Sequence, residues 1–236
     1  MKKFISLCLL MASAALNASA QFVEGTAATK ASQESFTEEM TGWDGLKLSI
    51  ELNDYNMPDV EIAGRTEDNI NTATTVHLSY LRGFILSQKK PVYLETGFGL
   101  KWGHYNETYE DWITDYTGVK REELNTWTIE VPVNVGYRIT NPNSELIVAP
   151  YTGIYMRMHL GGNIEAEDPS GYKAEANIFD EDEFYPAFDR FQFGWQLGCD
   201  LQYNQLVFGV SYGIDFNKVW IDTRVFTSAL NLGYRF

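Results

Sequence analysis

The amino-acid sequence predicts an all-β fold, an eight-stranded antiparallel up-and-down transmembrane β-barrel. Three observations predict it. Apolar and polar residues alternate through eight separate stretches. Short turns and long loops alternate between those stretches. The last stretch closes on Phe236, behind an N-terminal segment laid out like an export signal. A strand sends successive side chains to opposite faces, so each stretch has one greasy face and one polar face.

Residues 1–20 read as a secretory signal peptide. Lys2 and Lys3 form its basic start, Phe4 to Leu16 its apolar run, and Ala18-Ser19-Ala20 its small-residue cleavage site. Cys8 sits inside the apolar run rather than at the cleavage point, which argues against a lipid anchor. No run approaches the ~20 apolar residues of a transmembrane helix, so a membrane form has to be a barrel. A mature chain from Gln21 has 216 residues, enough for one domain. It keeps a single cysteine, Cys199, and so has no pair for an internal disulfide. Removing Lys2 and Lys3 from 18 basic residues leaves 16 against 32 acidic ones, a net of −16. Nucleic acid needs a basic footprint, so it is not an expected partner. Residues 21–43 are polar and read as a flexible periplasmic lead-in. Within them Ser35-Phe-Thr-Glu38 has capping-box spacing, which suits a short helix. The barrel is expected over 44–236.

The first strand, about 44–53, sets Leu46, Leu48, Ile50 and Leu52 against Lys47, Ser49 and Glu51. In the second, about 74–86, Val76, Leu78, Tyr80 and Phe84 oppose His77, Ser79, Leu81 and Gly83. The third, about 91–103, opposes Val92, Leu94, Phe98, Leu100 and Trp102 to Tyr93, Glu95, Gly97, Gly99, Lys101 and Gly103. The fourth, about 125–139, sets Trp127, Ile129, Val131, Val133, Val135 and Tyr137 against Thr128, Glu130, Asn134, Gly136 and Arg138. For the fifth, about 146–160, Val148, Ile154, Met156, Met158 and Leu160 oppose Ala149, Tyr151, Gly153, Arg157 and His159. The sixth, about 190–203, alternates from Phe191 to Tyr203 with Gln192, Gly194, Gln196, Gly198, Asp200 and Gln202 on the polar face. Next comes 205–216, with Leu206, Phe208, Val210, Tyr212, Ile214 and Phe216 against Gly209, Ser211, Gly213 and Asp215. The eighth strand runs to the end, with Phe226, Ser228, Leu230, Leu232, Tyr234 and Phe236 opposite Thr227, Ala229, Asn231, Gly233 and Arg235.

Ser87–Lys90, Asn141–Glu145 and Asn204-Gln205 are short and carry turn residues. Asp54–Ala73, His104–Leu124, Gly161–Asp189 and, less so, Asn217–Thr223 are longer. That is the outer-membrane arrangement, with the long loops outside the cell and both termini in the periplasm. A soluble barrel of the lipocalin type also alternates, with its greasy face inward. Three features argue against it here. The polar face is rich in glycine, which weakens a solvated strand but suits a narrow lumen. Trp43, Trp102, Trp127, Tyr137, Tyr203 and Tyr234 fall near strand ends, where interfacial girdles lie. The third is the terminal aromatic. Arg82 falls on the lipid face by strict alternation; it either snorkels at the periplasmic interface or is turned inward by a bulge.

The export signal, the eight strands, the stretch Val148-Ala-Pro-Tyr-Thr-Gly-Ile-Tyr and the Gly-Tyr-Arg-Phe terminus resemble the PorT-like outer-membrane β-barrel family, which is related in shape to the transmembrane domain of OmpA. The resemblance covers about residues 44–236. It implies a place in the cell outer membrane, among its lipid. It implies insertion by the barrel-assembly machinery, with Tyr234 and Phe236 as the C-terminal assembly signal. Secretion and gliding are roles found in the family, and no residue selects one.

The inward face carries Lys47, Lys101, Arg138, Arg157 and Arg235 against Glu51, Glu95, Glu130, Asp200 and Asp215. Unpaired buried charges are costly, so a paired structural network is expected, with Glu130, Arg138, Asp200 and Arg235 central. The alternative is a narrow channel for small solutes, although an open pore usually takes about 16 strands. Negative charge gathers in the long loops. Asp180, Asp182 and Glu183 are where calcium would bind, although their spacing matches no calcium-loop motif. Otherwise these loops are a solvated acidic surface or, with aromatics such as Tyr109, Trp112 and Tyr172 among the acids, a site for a protein or glycan partner. No cofactor and no catalytic residue are expected. His77, His104 and His159 lack a nucleophile partner by spacing, which leaves a lipid-modifying enzyme as the third reading. The first reading is a non-catalytic surface or envelope-assembly component, accessory to secretion.

Overall fold

The computed structural model describes residues 42–56, 60–62, 65–67, 70–87, 90–141, 144–181, 187–220 and 222–236. The expected export signal and capping box lie outside the described residues. Eight long strands form the wall: β1 (Trp43–Asn56), β2 (Ile70–Ile85), β3 (Val92–Thr108), β4 (Arg121–Tyr137), β5 (Ser144–Glu167), β6 (Phe191–Tyr203), β7 (Leu206–Asp215) and β8 (Arg224–Arg235). Each pairs antiparallel with the next in sequence, and β8 pairs back onto β1, with Leu48 opposite Leu232. At the seam Asp44 and Phe236 exchange backbone hydrogen bonds in both directions. A closed ladder leaves no edge strand, which is what hydrocarbon demands of backbone amides.

Alternation decides what faces where. Leu48, Phe98, Met158, Phe208 and Leu230 are all exposed on the outer wall. Ser49, Glu51, His77, Glu95, Lys101, Glu130, Arg157, Asp200 and Asp215 are buried inside. The greasy face therefore points out, the reverse of a lipocalin-type barrel. Glycines let large rings fill the lumen. A Cβ on Gly136 would stand 2.2 Å from the Tyr93 ring, and one on Gly194 2.4 Å from the Tyr155 ring. The phenol end of a tyrosine on one strand thus fills the space beside a glycine on the next.

Several boundaries differ from expectation, by the most at the long-loop end. The segments expected as the open loops His104–Leu124 and Gly161–Asp189 are largely ordered. β3 and β4 continue to pair as far as Thr108 opposite Arg121, and β4 and β5 as far as Arg121 opposite Glu167. Lys173–Asn177 then folds back on β5 as a further strand. On these extensions the outward residues are polar and the greasy row of Tyr105, Leu124 and Ile164 points inward, so they lack the signal of a lipid-facing strand. Between β3 and β4 lies α1 (Asp111–Thr117), ended by Gly118 at φ 73°, whose N–H bonds Thr114 O. That left-handed C-cap suits glycine.

Candidate functional site

The lumen is occupied by a two-layer charge network. In the upper layer Lys101 Nζ lies 2.8 Å from Glu51 and 2.6 Å from Glu130. Arg157 Nε lies 2.7 Å from Glu130, and its Nη1 lies 3.2 Å from Asp215. Tyr155 donates to the same Asp215 oxygen, His77 Nδ1 lies 2.9 Å from Glu51, and Arg157 stacks on the Tyr155 ring. The lower layer lies near the short turns. There Lys47 meets Asp200 at 3.2 Å, while Arg235 reaches Glu95 and Asp200 and donates to Gln202.

Nine of the ten inward charges thus meet an opposite charge within the lumen. Arg138 sits differently: its guanidinium stands 5.2 Å from the Trp43 ring, with Arg235 at 4.5 Å from that ring. Glu130 and Arg138 therefore belong to different layers, and the four residues expected to be central do not form one cluster. Trp43 itself corrects the girdle assignment. It packs edge-on to Tyr93 inside the periplasmic mouth, so it serves as a plug ring rather than an interfacial anchor. Residue 43 opens β1 on the inner parity, and the two cations and Tyr93 hold it there. Tyr155 was missed among the lumenal residues, although it shares parity with Tyr151 and Arg157.

Arg82 does point outward, with its side chain 60% exposed. It stays at the periplasmic end, 3.9 Å from Asp44 and over the Phe84 ring, so no bulge turns it in. Trp102, Trp127, Tyr137, Tyr203 and Tyr234 are exposed on the outer wall, as is Phe236.

The space left inside is small. Cavities of about 30 Å³ above the upper layer and about 40 Å³ below it have room for roughly two or three waters each. Chain from the loops covers the outer mouth. Ile178 and Phe179 are buried, Phe179 lies 5.5 Å from the His159 ring, and Arg190 stacks on it. Phe188 N–H bonds Ile178 O, and Asp189 N–H bonds Val219 O, tying the cover together. His159 and Thr128, 2.7 Å apart, are buried beneath it.

Above the wall, the extensions of β3, β4 and β5 and strand Lys173–Asn177 form a raised four-stranded sheet. Its outward face continues that of the wall in three cross-strand rows, after a register shift between Trp127 and Thr128 that moves the outward set of β5 from even to odd positions. His104, Asn125, Asn163 and Asn177 make the lowest. Asn106, Glu123, Glu165 and Glu175 make the middle one. Thr108, Arg121, Glu167 and Lys173 make the top. Hydrogen bonds knit the rows: His104 to Asn125, Arg121 to Asn106, Asn163 to Glu175 and Lys173 to Glu165. On the inner face, burial and donation to Glu122 raise the Tyr109 phenol far above its ordinary range. The acids of these loops therefore stand partly on ordered sheet. Asp180 is exposed; Asp182 and Glu183 lie outside the described residues. Among the described residues no group of three or more His, Cys, Asp or Glu is placed to hold a metal.

The chain is similar in structure to Ail, the attachment invasion locus protein of Yersinia pestis. The two are 15% identical over 84% of this chain and 100% of that one, with a TM-score of 0.39. Neisserial surface protein A is 10% identical over 81% and 95%, at 0.38. The N-terminal β-barrel domain of Pseudomonas aeruginosa OprF is 12% identical over 83% and 100%, at 0.33. No protein-family model and no curated protein match the chain. Strand pairing and the two faces of the wall decide the architecture without them. The wall is that of an outer-membrane β-barrel.

Proposed function

We propose that this protein is a non-catalytic component of the outer-membrane surface or of envelope assembly, accessory to secretion in the manner its PorT-like resemblance implies. The observation that carries the reading is the filled lumen. Its ion-paired layers leave room for a few waters, and Phe179 and Trp43 cover opposite mouths. What such a barrel offers a partner is its outside, chiefly the raised sheet and the loops around it. The barrel-assembly machinery would read Tyr234 and Phe236, which lie outward at the seam. Co-purification from native membranes after mild crosslinking tests the reading. A stable stoichiometric partner supports the assembly role; a lone, heat-modifiable barrel sinks that role and favours a generic surface protein or a channel.

The narrow-channel alternative meets the same obstacle, the covered lumen. Steady, large single-channel steps in a planar bilayer would establish it at the expense of the sealed reading. For an enzyme, the buried Thr128–His159 pair is the nearest approach to a nucleophile and base among the described residues, and both side chains are shut beneath Phe179. Lipid A mass spectra that change on deletion of the gene would revive that reading.

A further inference from the structure

The outward face of the raised sheet has no counterpart in a barrel that ends at its interface. It begins directly above Trp102 and Trp127, which pair across β3 and β4 and are both exposed on the lipid side. Trp102 also stacks on His104, the first residue of the face. Strand residues rise about 3.3 Å each, and barrel strands tilt by about 40°. The three rows therefore stand roughly 5, 10 and 15 Å above the tryptophan pair. The face continues the lipid-facing wall through one register shift of β5 opposite Trp127 and Thr128, which keeps Gly161 and Asn163 outward, so what covers it is whatever lies next above the acyl chains.

Its chemistry narrows the occupant. Glu123, Glu165, Glu167 and Glu175 outnumber Arg121 and Lys173. Both cations are engaged within the face, Arg121 3.5 Å from Glu123 and Lys173 2.5 Å from Glu165. A bare phosphate would meet net negative charge. Neutral hydroxyls suit the face, because Asn106, Asn125 and Asn163 keep amide donor and acceptor capacity beyond their bonds to Arg121, Glu123 and Glu175, and the carboxylates accept. We propose that this face docks the sugar headgroups of an outer-leaflet glycolipid, seating the barrel by its β3–β5 side. The proposal rests on the outer-membrane reading above.

Hydrogen–deuterium exchange of the full chain in nanodiscs tests it. One disc holds phosphatidylethanolamine and phosphatidylglycerol; a second adds lipopolysaccharide with its core oligosaccharide; a third adds lipid A without core sugars. Amides of 121–126 and 163–167 should exchange about tenfold more slowly in the second disc than in the first. EDTA should leave that slowing in place, and lipid A should reproduce little of it. The paired variant Asn125→Ala with Asn163→Ala should abolish it. Equal rates in the first two discs overturn the proposal, as does slowing that EDTA removes, which would assign the contact to phosphate bridged by a divalent metal. Slowing that survives in the paired variant overturns it too. Wall amides such as those of Leu48 and Leu230 report separately on the barrel: if they exchange fast in every disc, the membrane reading fails, not this one alone.

Discussion

Arg157 and Glu130 stand directly opposite on β5 and β4, and Arg157 Nε lies 2.7 Å from the carboxylate, with both side chains buried. The ladder register thus sets an ion pair at the centre of the lumen. Each partner also meets a second charge, Lys101 on Glu130 and Asp215 on Arg157, so one deletion strands several groups.

Glu130→Gln should cost about 3–5 kcal/mol, because two buried cations lose part of their compensation. Arg157→Met should cost a similar amount. Reversible urea unfolding in detergent, followed by the heat-modifiable gel shift, measures both. The double variant should be less destabilised than the sum of the two, with a coupling of about 1–3 kcal/mol. Strict additivity would mean that the pair does not interact.

Tyr93 occupies the space that Gly136 leaves, and Tyr155 the space that Gly194 leaves. Gly136→Val should therefore destabilise by about 1–3 kcal/mol through overpacking. Combining it with Tyr93→Ala should recover part of the loss. Unfolding midpoints of the single and double variants check this, and an equally unstable double variant would show that the ring is not the obstacle.

Arg82 lies outward but at the periplasmic interface, beside Asp44. Arg82→Leu should change stability by less than about 1 kcal/mol. Placing the same charge inside the apolar belt, as Leu78→Arg, should cost about 2–4 kcal/mol. Folding yields into vesicles and unfolding free energies compare the two.

The tip of the β5 hairpin depends on Asp168. Hydrogen bonds from the Ser170 hydroxyl and from backbone N–H groups, including that of Tyr172, hold its carboxyl below the ordinary carboxylate value. A depressed folded-state value means that the turn's contribution is full above the unfolded pKa of about 4 and fades as pH falls through the lower folded value. Protection of the Ser170 and Tyr172 amides, measured against their intrinsic exchange at each pH, should persist down to about pH 4 and fade under more acid conditions. Asp168→Ala should show fast exchange at these amides throughout that range.

Strand number, closure and facing were legible because a lipid-spanning strand has to alternate greasy and polar residues over its whole length. Leu46 to Leu52 and Phe191 to Tyr203 leave little choice of period or face. The raised sheet was not legible for the matching reason. Asn163, Glu165 and Glu167 are polar where a lipid-facing strand would be greasy, Ile164 points inward, Lys173 to Asn177 alternates polar residues with alanine, and neither face there meets hydrocarbon. Trp43 was misplaced because a tryptophan at a strand end suits both a girdle and a plug, and parity is weak at the first residue.

By itself the sequence determined that eight strands alternate, that one face is greasy and that ten charges share the other. It did so because side-chain direction in a strand is a matter of counting by two. Which charges meet was decided only by the tertiary structure. The stagger between strands sets whether Lys101 stands beside Glu51 and Glu130, and whether Arg138 falls on Trp43 instead of a carboxylate. The stagger belongs to the closed ring as a whole, since β8 must return to β1 in register, and no single strand encodes it.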